Sequence, residues 1–379
     1  ALPILVLIIC LNCNRENSYT QSMATLTETA AAARKIIKVG GLLLGVFLFV
    51  KFSWFIYVNY IMAIKPPPKE PPTVAFGKLP TIEFPEKLHP ELTLRLETPS
   101  GGTPNLGDRG TVYLMPTFRS SFLALQQANE LVSKINFLKT PKEITERRYR
   151  WENDEFLPSI LEMDIIDGSF TLKRNWQSDP TILSEKQLPG KEQVVVETKN
   201  FLRQIGLYTE DLNEARIEGT YLTFSAGQYI KAVSLSEADF VQADLYRPDV
   251  EEMVSMPQDP NKGIIRIIFS GAREAEKRIV EAEYNYFPVN LEQEATYPIK
   301  TASQAWRELQ TRQGYIASIG ENTSEVITIR RIYLGYFDAE SSSGFLQPII
   351  IFEGDNDFFG YVQAISSEWL EEPLTNGGY

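Results

Sequence analysis

Hydrophobic and polar positions divide this chain into two regimes. Residues 39–64 are apolar almost without interruption, and roughly 20 apolar residues suffice to carry a helix across ~30 Å of hydrocarbon. PPPKEPP follows at once, and its prolines cannot prolong a helix and favour an extended spacer. Beyond it the pattern shortens. ITIRRIYLGY and LTFSAGQYIKAV alternate apolar and polar residues, as strands with one buried and one wet face do. Three segments carry helical spacing instead: 120–137, 193–205 and Ala302–Gln310. Strand-like runs follow each of them: EITERRYRW, SILEMDII and SFTLKRNW after the first, ARIEGTYLTFSAG, YIKAVSLSEA and FVQADLYRP after the second, EVITIRRIYLGYFDA, FLQPIIIFEGD and FFGYVQAIS after the third. Asp167-Gly168 is a hairpin signal between two of these runs.

The expected class is α+β: a single N-terminal transmembrane helix, then extracytoplasmic, αβββ-like units in which a helix covers one face of an antiparallel sheet. Their irregular spacing argues against a tandem solenoid. Expected boundaries are a cytoplasmic tail or misassigned start at 1–35 and the span at 36–64. A Pro-rich stalk and irregular strap would occupy 65–110, a first α+β unit 111–190, a two-unit α+β domain 191–370 and a flexible tail 371–379. MATLTETAAAARKIIKVGG, beginning at Met23, reads as an ordinary single-pass start, leaving 1–22 as an upstream extension. Arg34, Lys35 and Lys38 precede the span and Lys65 and Lys69 follow it; with the large domain behind, this favours a cytoplasmic N-terminus and an outer C-terminal domain in the cell envelope.

Charge sharpens the division. The chain carries a net −12, yet residues 1–65 hold six basic side chains against two acidic ones. The remainder is therefore strongly acidic and repels phosphate backbones, which argues against nucleic-acid binding. Cys10 and Cys13 both precede the span, so the outer part has no disulfide and suits a bacterial envelope. Within the span, Gly41 and Gly45 form GxxxG, which lets helices approach closely and makes a homodimer an option. Lys51 sits mid-span, where a cation costs at least ~2.5 kcal/mol; it either pairs with an acidic residue of a partner helix or snorkels. Trp54, Tyr57 and Tyr60 suit an interfacial belt.

Candidate chemistry is sparse. The one histidine, His89, lies beside Pro90 in the strap. No SxxK, GxSxG, Walker-type or GxGxxG spacing occurs. Asp355 and Asp357 begin like a calcium loop, but Phe359 stands where an oxygen ligand belongs, so a hairpin turn explains the same letters. Glu152, Asp154 and Glu155 read as a solvated connection rather than paired glycosidase acids. Tyr333, Tyr336 and Phe345 could form an aromatic binding face, or half-buried cross-strand pairs. We expect no cofactor and no metal.

One further pattern appears in order: YPIKTASQAWRELQTRQGYIAS, then ITIRRIYLGYFD, then GFLQPIIIFEGDNDFFGYVQAIS. Over residues 237–369 this resembles membrane-anchored regulatory proteins of the YycI/YycH type, and more loosely PepSY-like modules. It does not extend to the stalk or to residues 73–180. The resemblance implies a protein that crosses the membrane once and regulates a sensor kinase through helix and domain contacts. The expectation is a non-enzymatic, single-pass envelope protein whose outer domain binds a protein or wall partner. Its rivals are a carboxylate-dependent glycan hydrolase and a structural component of an envelope assembly.

Overall fold

The apolar run is helical from Leu26 to Ile56 and closes with a π-type turn over Tyr57–Ile61. The computed structural model describes residues 26–61, 70–86, 89–155, 157–341 and 343–371; Cys10, Cys13 and the expected start at Met23 lie outside them. The helix begins ahead of the expected boundary at 36 because alanines 30–33 are strong helix formers. Over Ala30–Tyr60 its most apolar window has a mean hydropathy of 2.0, long and apolar enough to cross a membrane. Every side chain from 30 to 60 is exposed, and a helix apolar all round needs lipid or protein around it.

Residues 72–379 form a separate, β-rich unit. Its largest sheet has nine antiparallel strands. In spatial order they are Lys142–Glu143, Arg148–Asn153, Ser159–Asp164, Phe170–Arg174, Ile279–Tyr284, Ile265–Ser270, Phe240–Tyr246, Arg216–Ser225 and Gln228–Lys231. Period-2 alternation sets its two faces. Leu161, Met163, Leu172, Ala243, Leu245 and Ile267 turn to one side and are buried under two helices, Ala124–Ser133 and Lys191–Ile205. The helices contribute Ala128, Val132, Val194, Phe201 and Leu202, spaced at four, seven and eight residues as a core-facing stripe requires. Gly168, at a φ of 80°, makes the turn that joins two of the strands where Asp167-Gly168 signals it.

A second sheet runs Thr93–Leu96, Val326–Asp338, Pro348–Gly354, Phe358–Gln363, Tyr315–Ser318, and Ser255–Pro257 pairs in parallel with the far end of its long strand. The helix Ala302–Gln310 covers it through Ala302, Ala305 and Leu309. Thr301 and Gln304 cap this helix reciprocally. A third, small sheet joins Asn290–Pro298, Arg109–Leu114 and Phe345–Leu346.

Two expected boundaries do not coincide with breaks. The strands of 142–174 share one sheet with those of 216–284, so no division falls at 190/191. The strap is part of the C-terminal core: Thr93–Leu96 pairs with residues 326–329, and Arg109–Leu114 pairs with Asn290–Pro298. Local alternation cannot reveal such pairings, because they join residues more than 170 positions apart.

Arg247 ties the two large sheets together. It follows the strand Phe240–Tyr246, and its guanidinium donates to both oxygens of Asp338 at 2.9 and 3.0 Å and to the Phe287 carbonyl at 2.8 Å. Both side chains are at most 2% exposed, and the guanidinium lies 4.7 Å from the Tyr286 ring centroid.

Candidate functional site

The face of the nine-stranded sheet opposite its helices carries the polar half of each alternating run. Strand register places Arg150, Glu162, Thr171, Glu283, Arg266, Asp244 and Glu218 side by side in one row across seven strands, a width of about 29 Å at ~4.8 Å per strand. Within the row Arg150 donates to Glu162 at 2.9 and 2.6 Å, and Arg266 pairs with Glu283 at 2.7 Å. Opposite charges directly across a ladder stabilise it modestly.

At one margin this face meets the second sheet, and the two enclose a cleft of ≈ 620 Å³. The large sheet supplies Arg216, Glu218, Thr220, Gln242 and Asp244; the second sheet supplies Arg331, Tyr333 and Glu353. Asp244 is 3% exposed. Its carboxylate accepts hydrogen bonds from Gln242 Nε2 at 2.7 Å and from the Gly263 N–H at 3.0 Å. Burial nonetheless outweighs these bonds and nearby Arg266, and raises its pKa. Gly263 is required for this approach, because a Cβ there would stand 2.5 Å from the Leu245 nitrogen.

On the facing wall Tyr333 Oη donates to Glu353 at 3.0 Å, and burial followed by the Glu353 charge raises the phenol pKa. Arg331 pairs with the other Glu353 oxygen and lies 5.8 Å from the Tyr333 ring centroid. Arg216 stacks 4.3 Å over Tyr246, a geometry that holds a guanidinium in place while its edge still faces a ligand. The cleft thus presents aromatic surface between charges of both signs.

The expected aromatic stripe is divided by the pleat. Tyr333 lines the cleft, but Tyr336, three positions on, points to the opposite face and is 0% exposed, edge-on to Tyr113 at 5.7 Å between ring centroids. Phe345 packs on Phe76 at 5.4 Å. An odd spacing along a strand reverses the side, so these three residues are not one binding face. Gly41, Gly45 and Lys51 all lie on the N-terminal helix, the two glycines about one turn apart on one face, with nothing within 4 Å of either Cβ position.

Other candidates have structural partners. Glu152 pairs with Lys142 at 3.0 Å and Asp154 with Lys139 at 2.7 Å; the hydrogen bond and charge of Lys139 lower the Asp154 pKa. Glu155 is exposed beside them. His89 Nε2 lies 2.9 Å from the Ile316 carbonyl oxygen. Asp355–Asp357 is a tight turn between two strands, with Asn356 at a φ of 55° and Asp355 bound by Arg330 at 2.8 Å. Among the described residues no group of three His, Cys, Asp or Glu side chains is placed to hold a metal ion.

Gln242, Asp244 and Arg216 were not singled out in the sequence. The signal lay in FVQADLYRP, where Val241, Ala243 and Leu245 fill the core and the polar residues between them must face the other way.

No family model matches this chain, and no curated protein matches it. Among solved structures it is similar to an uncharacterized protein from Eubacterium rectale ATCC 33656, at 12% identity and a TM-score of 0.37, covering 74% of this chain and 91% of that one. The resemblance of residues 237–369 to YycI/YycH-type proteins therefore gains no family assignment.

Proposed function

We propose that this chain is a single-pass, membrane-anchored, non-enzymatic protein whose inter-sheet cleft binds a protein partner at the outer face of the membrane. One observation carries this reading: an apolar helix fit to span a bilayer is joined to a domain with a fixed cleft in which Arg216, Arg331 and Tyr333 are held by stacking or ion pairing. Aromatic and arginine side chains held in place are the groups that dominate protein–protein binding energy. Orientation with the N-terminus inside follows from the basic residues ahead of the span, and regulation of a membrane sensor kinase is the concrete form we favour.

The rival hydrolase reading would rest on Asp244, a carboxyl with a raised pKa in a cleft. Both of its oxygens already accept hydrogen bonds and it is 3% exposed. A general acid must reach the atom it protonates, which favours a structural role for Asp244.

The test is affinity purification of the full-length protein from membranes, wild type against Arg331→Ala/Tyr333→Ala. Loss of a stoichiometric partner with unchanged thermal unfolding is expected. Equal recovery from both proteins would contradict the cleft assignment.

A further inference from the structure

At the opposite margin of the same sheet face lies a second hollow of ≈ 590 Å³. Three rings, Trp176, Phe224 and Tyr229, line it, and Phe240 packs behind them. Trp176 is 4% exposed and packs edge-on against Phe224, with centroids 4.7 Å apart. Tyr229 stands edge-on to Phe224 at 5.3 Å and to Phe240 at 5.4 Å. Trp176 Nε1 donates to Tyr229 Oη at 2.9 Å, and Tyr229 Oη donates to Glu281 Oε1 at 3.0 Å. This relay fixes the orientation of the phenol and one oxygen of the carboxylate.

One wall is the hairpin tip, where Gly227 lines the hollow. Ala226 and Gly227, at φ values of 50° and 83°, turn the chain between Ser225 and Gln228, a two-residue hairpin turn whose geometry matches strand twist.

We infer that this hollow is a carbohydrate site, taking a short neutral oligosaccharide. Phe224 and Tyr229 are half-buried and present ring surface to the cavity, suited to the apolar C–H face of a pyranose. Around them stand carboxylate, amide and ammonium groups, Glu281, Asn175, Gln177 and Lys173, which together donate to and accept from hydroxyl groups. Acidic and basic side chains both line the hollow, so neither a bare anion nor a bare cation is matched by it. A purely apolar ligand would bury these polar groups without partners, which is unfavourable. A polyol satisfies both halves, and the volume lies within the usual range for small-ligand pockets.

This site is distinct from the partner cleft, and the two can fail separately. The test is calorimetric titration of the full-length protein in detergent with chitotriose and with maltotriose, alongside Tyr229→Ala and Glu281→Gln. Saturable binding of at least one trisaccharide, weakened about tenfold or more in both variants, is expected, with the thermal unfolding of Glu281→Gln unchanged. If Tyr229→Ala unfolds early, Tyr229→Phe replaces it, keeping the ring and removing the hydroxyl relay. No saturable heat with either sugar, or binding indifferent to the variants, would overturn the assignment.

Discussion

Replacing Arg247 with methionine tests whether one buried ion pair holds the two large sheets in register. The substitution keeps most of the side-chain length but strands the Asp338 carboxylate, at most 2% exposed, without its two charge-assisted hydrogen bonds. It also leaves the Phe287 carbonyl without its guanidinium donor and removes the contact over Tyr286. Breaking a buried pair from one side costs about 3–5 kcal/mol, whereas replacing both partners by apolar residues is often nearly neutral. For a domain of this size that loss corresponds to a fall in Tm on the order of 5–15 °C. The double variant Arg247→Met/Asp338→Leu should recover most of it. Differential scanning fluorimetry of the four proteins of this cycle decides the matter. A single variant that melts with wild type, or a double variant as damaged as Arg247→Met, would refute the idea that an uncompensated charge is the cause.

Three smaller expectations accompany it. Gly263→Ala should destabilise by at least about 1–3 kcal/mol, because the added Cβ meets Leu245 N and O at 2.5 and 2.6 Å; urea denaturation reads this directly. Ala226→Asn should stabilise by roughly 0.5–1 kcal/mol in the same assay, since Ala226 sits at a φ of 50°, where asparagine is better tolerated. Asp244 has a raised pKa in the folded state, so the native protein binds its proton more tightly than the unfolded chain. Its contribution is therefore most favourable at pH below the unfolded value and declines as pH rises through the folded one. Against Asp244→Asn, wild type should gain relative stability as pH falls through the raised folded-state value towards the ordinary carboxylate range, as measured by unfolding at a series of pH values.

Much of the fold is legible in local pattern. The helices near 193–205 and at Ala302–Gln310, the hairpin at Gly168 and the alternation of the long strand Val326–Asp338 all follow from period and turn chemistry. Sheet membership was not legible. That Thr93–Leu96 would lie parallel to residues 326–329 depends on which edge is left open once the rest has assembled. The aromatic stripe failed for a nearer reason: Tyr333 and Tyr336 look adjacent in the sequence, but a three-residue step crosses the pleat. The cleft escaped notice because the residues named in it come from four strands of two sheets, and each alone reads as an ordinary polar position on a wet face. Arg247 and Asp338 share that fate, since a buried pair joining positions 91 apart leaves no local mark.

The central claim, that the inter-sheet cleft engages a partner at the membrane, is tested most directly by site-specific photo-crosslinking in intact membranes. A benzophenone side chain would replace Thr220 in the cleft, with Asn200 on the exposed side of the helix Lys191–Ile205 as the control. The account predicts a discrete protein adduct from position 220, absent from position 200 and lost when Arg331→Ala/Tyr333→Ala is added. Equal labelling from both positions, or none from the cleft while a partner still co-purifies, would contradict it.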